Sequence, residues 1–188
     1  RGFGKTLMLS MLQSFFEKSS KDKTIYFQDK KIWNNQDIVK QHFQKYPLIH
    51  ISLKNVIGEE FSSLMDKLKE TMRKEYARHQ DILPFLNEEE KQFYSSILNK
   101  NETQNDLSSS LARLTEFLAT SSKKKVILLI DEYDTPVHYA YDYGFYDPTI
   151  LFFKQFFGES LKTNPNIQLA VLTGILQIAK ESLFSGLN

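Results

Sequence analysis

The sequence predicts a three-layer α/β fold, a parallel sheet between helices, and two runs of residues carry that expectation. Val126-Ile127-Leu128-Leu129-Ile130 is apolar without alternation, the pattern of a strand covered on both faces, as strands of parallel sheets are. Ile167 to Leu172 reads as a second buried strand. The segments between the strand-like runs have helical periodicity, and strands that alternate with helices argue for parallel pairing.

Taken in order, Thr6 to Glu17 reads as a helix, with Leu9, Leu12 and Phe16 at helical spacing. Polar residues from Ser19 to Lys23 interrupt it. Pro47 opens Leu48-Ile49-His50-Ile51-Ser52-Leu53, whose alternation predicts a half-buried strand. Phe61, Leu64, Leu68, Met72 and Tyr76 form the stripe of a long amphipathic helix. Asn87 with Glu90 has the form of a helix start, ahead of Phe93 and Ile97. Leu107, Leu111, Leu114 and Leu118 mark another helix. Asp147-Pro148 predicts the start of a further one, with proline at the first helical position. Its apolar residues are Leu151, Phe152, Phe156 and Leu161.

A chain of 188 residues has room for one domain, and 15 phenylalanines predict a core rich in aromatic rings. The formal net charge of +1 gives no long-range attraction for nucleic acid. With no cysteine, disulfides and thiolate metal sites are excluded within this span, which agrees with a reducing, cytoplasmic setting. No apolar run approaches the ~20 residues that cross a bilayer.

Chemistry concentrates at four places. The chain opens Arg1-Gly2-Phe3-Gly4-Lys5-Thr6, followed at once by a helix, which is the form of the tail of a P-loop, G-K-[ST]. A glycine there lets backbone amides approach phosphate oxygens, and the helix N-terminus adds unpaired amides and partial positive charge. Lys5 would reach the β- and γ-phosphates and the Thr6 hydroxyl would bind Mg²⁺. The first glycine of the motif, and the strand that feeds it, would precede Arg1, so the fold expected is a P-loop NTPase with its first strand missing. Asp131-Glu132 ends the apolar strand, where ligands bind in open α/β sheets. Asp131 would hold Mg²⁺ and Glu132 would orient or deprotonate the attacking water. Thr173, at the end of the second strand, is either a hydroxyl that senses the γ-phosphate or holds a water, or an ordinary strand threonine. The assignment is therefore Gly2, Gly4, Lys5, Thr6 and Leu7 to nucleotide, Thr6 and Asp131 to metal, and Glu132 with Thr173 to catalysis.

Arg1 to Leu7, Tyr46-Pro47-Leu48-Ile49-His50, Leu129-Ile130-Asp131-Glu132-Tyr133-Asp134-Thr135-Pro136, Leu172-Thr173-Gly174 and Ser182 to Asn188 together resemble the AAA-ATPase-like family. The resemblance covers essentially the whole chain, in the family's order. It implies a P-loop ATPase domain that binds ATP and Mg²⁺, here partial at both ends and often followed by a PD-(D/E)xK-type nuclease domain. One departure is Gln177, where many members carry an arginine. If that arginine stabilises transition-state charge, hydrolysis would be slow or would draw an arginine from a partner; Lys180 reads as a surface lysine, a partial substitute being its other role. The alternative function is then a nucleotide-binding switch.

Other polar residues carry less. The four histidines lack metal-ligand spacing, and His50 is expected to be a partly buried strand residue with its polar atoms satisfied. Lys123-Lys124-Lys125 reads as a solvated loop rather than a nucleic-acid contact. Asp134 precedes Thr135-Pro136 and reads as the cap of the next helix, a place in the metal shell being its other role. Tyr139, Tyr141, Tyr143 and Tyr146 would pack against the phenylalanine-rich helix or form a base-stacking platform.

Overall fold

The computed structural model describes residues 4–175 and Leu183. Helix α1 (Lys5–Phe16) leads through two single 3-10 turns to α2 (Gln36–His42) and strand β1 (Leu48–Ser52). Helices α3 (Phe61–Arg78), α4 (Glu88–Asn99) and α5 (Gln104–Ser122) follow, then β2 (Val126–Asp131), α6 (Thr135–Asp142), α7 (Tyr146–Leu161) and β3 (Ile167–Leu172). The strands form one parallel sheet in the order β1-β2-β3.

Alternation along β2 divides the core. Val126, Leu128 and Ile130 pack with Leu64, Leu68 and Met72 of α3, Leu111 and Leu114 of α5, and Phe153, Phe156 and Phe157 of α7. Ile127 and Leu129 point the other way, with Leu48, onto Leu9 of α1. Every residue of β2 is buried, as its unbroken apolarity requires. The sheet thus lies between α1 on one face and α3, α5 and α7 on the other, the expected three layers.

The predicted helix starts hold where a local cap dictates them. Asn87 and Glu90 form a reciprocal capping box, with Oδ1 of Asn87 accepting from the Glu90 amide at 2.9 Å and Oε2 of Glu90 accepting from the Asn87 amide at 2.8 Å. The helix expected from Asp147-Pro148 instead begins at Tyr146, which places Pro148 third in it. The Phe145 carbonyl accepts the Thr149 hydroxyl at 3.0 Å and so closes the first turn earlier. A proline in a first turn loses no intrahelical bond.

Both strands flanking β2 differ from expectation. β1 is not half-buried: Leu48 lies under α1, Ile49 and Ile51 lie in the opposite core, and only Ser52 is exposed. β3 is not a fully buried strand, for none of its six residues is fully buried and Leu169 is 38% exposed. Among the described residues it pairs with β2 alone, so one edge and part of one face stay open. The outer edge of β1 is covered by side chains instead. Glu75 Oε1 accepts from the His50 amide at 3.0 Å, and Arg78 Nη2 donates to the Leu48 carbonyl at 2.6 Å. Occupied edge groups cannot template pairing with another chain.

α2 and the turns before it escaped the sequence reading, because they are short and held by tertiary contacts. Phe15, Phe27, Trp33 and Phe43 form an edge-to-face cluster with centroids 5.1–5.7 Å apart that fastens this segment to α1. Among the described residues no helix is long and apolar enough to cross a membrane.

Candidate nucleotide site at the carboxyl end of the sheet

α1 starts at a left-handed residue, Gly4, with φ 70° and ψ 7°, a conformation that glycine adopts without a Cβ penalty. No side chain caps this helix. Its first backbone bond runs from the Met8 amide to the Gly4 carbonyl at 2.7 Å, so the amides of Lys5, Thr6 and Leu7 have no intrahelical acceptor. Partial positive charge gathers at such an end. The Leu7 side chain is 66% exposed, and its amide is the part of it that belongs to this helix end. Gly2 lies outside the described residues.

This helix end meets the ends of β2 and β3. The Thr6 hydroxyl donates to Asp131 Oδ2 at 2.7 Å. The Thr173 hydroxyl donates to Asp131 Oδ1, and Lys5 Nζ donates to the Gly174 carbonyl at 2.7 Å. Asp131 and Thr173 are both buried. The strand ends are also tied through the backbone: the Thr173 amide donates to Ile130 O at 2.9 Å and the Tyr133 amide to Thr173 O at 3.0 Å. Residues 125 positions apart in sequence, Thr6 and Asp131, therefore share one hydrogen bond.

Glu132 follows Asp131 with φ 53°, a left-handed conformation that costs a residue with a Cβ about 1–2 kcal/mol. Such strain gathers at functional sites. Its carboxylate lies 3.5 Å from the Thr135 hydroxyl, and the Thr135 amide closes a turn onto Glu132 O at 3.2 Å. Tyr133 anchors the turn from below, its buried ring edge-on to Phe157.

Asp134 corrects a local reading. It stands before α6, but its side chain makes no capping bond. Its Oδ2 instead accepts from the Ile175 amide at 2.6 Å, three residues beyond the end of β3. Gly174 fits beside it only as glycine, since a Cβ there would lie 2.6 Å from Tyr133 Cε1 and 2.9 Å from Asp134 Cγ. This contact across the two strand ends left no signal in the sequence.

The other residues fall as follows. His50 is half-buried, its Nδ1 2.8 Å from Gln13 Oε1, and burial lowers its pKa. Lys123, Lys124 and Lys125 are exposed, with Lys124 over the Tyr46 ring. Tyr141 and Tyr143 are exposed, against the expectation of packing, while Tyr146 packs against the core. Gln177, Lys180 and the Ser182 to Asn188 stretch, apart from the buried Leu183, lie outside the described residues.

Residues 1–184 match the family model of AAA-ATPase-like proteins, described as a predicted AAA-ATPase. The chain belongs to the AAA-ATPase-like family. No curated protein matches it, and no solved structure does. The site that the sheet brings together lies within the matched residues.

The donor set also fits the metal that the family implies. Thr6 and Asp131 offer hard oxygens, and among the described residues no group of three or more metal-ligating side chains occurs. Mg²⁺ suits such a site, because it binds through one or two protein oxygens and takes the rest of its shell from phosphate and water.

Proposed function

We propose that the chain binds ATP with Mg²⁺ at the carboxyl end of its sheet and hydrolyses it, coupling hydrolysis to conformational change. The observation that carries this reading is the Thr6–Asp131 hydrogen bond, which joins the helix-end motif to the strand-end acid. In this reading the amides of Lys5, Thr6 and Leu7, with Gly2 and Gly4 beside them, cradle the phosphates, and the Lys5 ammonium neutralises their charge. Thr6 and Asp131 hold Mg²⁺, which supplies charge stabilisation at the phosphoryl oxygens. Glu132 takes a proton from, or orients, the attacking water. A nuclease domain after the ATPase and preference for adenine rest on the family resemblance, a cytoplasmic setting rests on the lack of cysteine, and all belong to the same proposal.

Chain topology supports the reading as well. The β1-to-β2 and β2-to-β3 connections both lead over the face that holds α3, α5 and α7, whereas α1 lies on the opposite face. Parallel crossovers are right-handed in nearly all proteins. α1 thus lies on the face that these crossovers leave free, and β3 leaves its outer edge open among the described residues. The apolar groove between α1 and β3, about 450 Å³ and lined by Met8, Met11, Leu12, Ile127 and Leu169, lies beside that edge.

Replacing Glu132 with Gln tests the assignment. ATP affinity should change little, because the phosphate and metal contacts remain. Turnover should fall by about 10²–10⁴, the range for a lost general base. A wild-type protein that binds ATP but shows no turnover above background would leave the nucleotide switch as the function, the reading that Gln177 favours.

A further inference from the structure

We infer that Thr173 is a positioning residue for Asp131: its hydroxyl fixes the carboxylate in the orientation that receives the divalent cation, and it does not read the terminal phosphate. The inference rests on the Mg²⁺–ATP reading of the same site and changes the role of one residue within it.

A threonine hydroxyl has one proton to give. That of Thr173 is given to Asp131 Oδ1, while Thr6 gives its own to Oδ2. A hydroxyl that has spent its proton keeps only lone pairs, and lone pairs do not bind a phosphate oxygen. To read the phosphate, Thr173 would have to withdraw from Asp131 and leave Oδ1 of a buried carboxylate without that donor, which buried polar groups resist.

The side chain is also poorly placed to turn. The Thr173 amide donates to Ile130 O at 2.9 Å and its carbonyl accepts from the Tyr133 amide at 3.0 Å. These bonds extend the β2–β3 ladder past its last paired residues. A branched Cβ on a backbone fixed on both sides has few rotamers. Two residues later, the Ile175 amide donates to Asp134 Oδ2 at 2.6 Å, so the strand end cannot slide as a unit without breaking that bond.

Thr6 stands differently. Its proton also goes to Asp131 Oδ2, which leaves its lone pairs to a cation, the use expected of the P-loop hydroxyl. The order Thr173→Asp131←Thr6 thus gives the two hydroxyls different tasks. The first secures the carboxylate and the second joins it in holding the metal. Outer partners that orient metal-binding carboxylates commonly set affinity by about 10–100-fold.

Equilibrium binding of a fluorescent ATP analogue, measured across Mg²⁺ concentrations and again in chelator without metal, tests this. Thr173→Val keeps the shape and removes the donor, and Thr173→Ser keeps the donor. Thr173→Val should raise the Mg²⁺ concentration for half-maximal binding by about tenfold with metal-free affinity little changed, and Thr173→Ser should restore it. In an Asp131→Asn background, Thr173→Val should have no further effect on Mg²⁺ dependence. Unchanged Mg²⁺ dependence in Thr173→Val, with turnover alone reduced, would overturn the inference and give the hydroxyl to phosphate or water. If Thr173→Val does not fold, the Thr173→Ser protein decides between the two, since loss of Mg²⁺ dependence despite a retained donor overturns the positioning role. A wild-type protein that binds no nucleotide with or without Mg²⁺ would overturn the ATPase reading and this inference with it, a result distinct from altered turnover alone.

Discussion

Gly174 shows how much of the site depends on single atoms. It lies where the ends of β2 and β3 meet, and its carbonyl holds the Lys5 ammonium. A methyl group at this position would press on the Tyr133 ring and the Asp134 carboxylate, both of them buried. Neither is the loose end of a surface side chain. Gly174→Ala should therefore cost about 1–3 kcal/mol of stability, the range for overpacking a filled site, and it should move the Lys5 acceptor as well. Thermal unfolding of this variant beside Gly158→Ala, where a Cβ meets nothing within 4 Å, checks the prediction. Equal melting temperatures would refute it. The sequence discloses Lys5, Thr6 and Asp131 because their spacing from a helix start and a strand end is a local pattern. Thr173 and Asp134 were placed at the right strand ends, but their roles were not legible. A hydroxyl's direction and a carboxylate's partner depend on which distant backbone arrives beside them, here Asp131 for one and the Ile175 amide for the other.

At the scale of elements, α3 does more than cover the sheet. Arg78 donates to the Leu48 carbonyl, to Glu75 and to Glu17 at the end of α1, and so joins three elements through one guanidinium. Burial opposes ionisation of Glu75, but the neighbouring His79 ring and Arg78 guanidinium outweigh it and lower its pKa from 4.5 to about 2. A carboxyl whose pKa is lower folded than unfolded stabilises the fold at pH values above the unfolded pKa. That contribution is complete above pH 4.5 and is lost as pH falls from 4.5 towards 2. In urea unfolding, the advantage of wild type over Glu75→Gln should shrink across that window, and parallel pH curves would contradict it. Arg78→Met, which leaves the carboxylate buried without its cation, should cost roughly 3 kcal/mol at neutral pH. The stripe from Phe61 to Tyr76 discloses the helix. It does not disclose the edge-capping pair, because Glu75 and Arg78 read as ordinary charges on its polar side until β1 is beside them.

For the whole molecule, the parallel order of β1, β2 and β3 sends all three strand ends to one side, and Lys5, Thr6, Asp131 and Thr173 meet there. Continuous apolarity in β2 and the helical stripes around it were enough to give the layers. The partial exposure of β3 was not legible in its own residues, because Ile167, Leu169, Val171 and Leu172 are apolar enough to read as buried. The central claim is that one end of this sheet receives a metal–triphosphate, and Mn²⁺ in place of Mg²⁺ tests it most directly. Added with ATP to isotope-labelled protein, the paramagnetic ion should broaden the amide signals of Lys5, Thr6, Glu132 and Gly174. Those of Leu48 and Val126, about five residues away along strands that rise roughly 3.3 Å per residue, should stay comparatively sharp. Broadening centred on the opposite end of the sheet, or none at saturating Mn²⁺–ATP, would contradict the account.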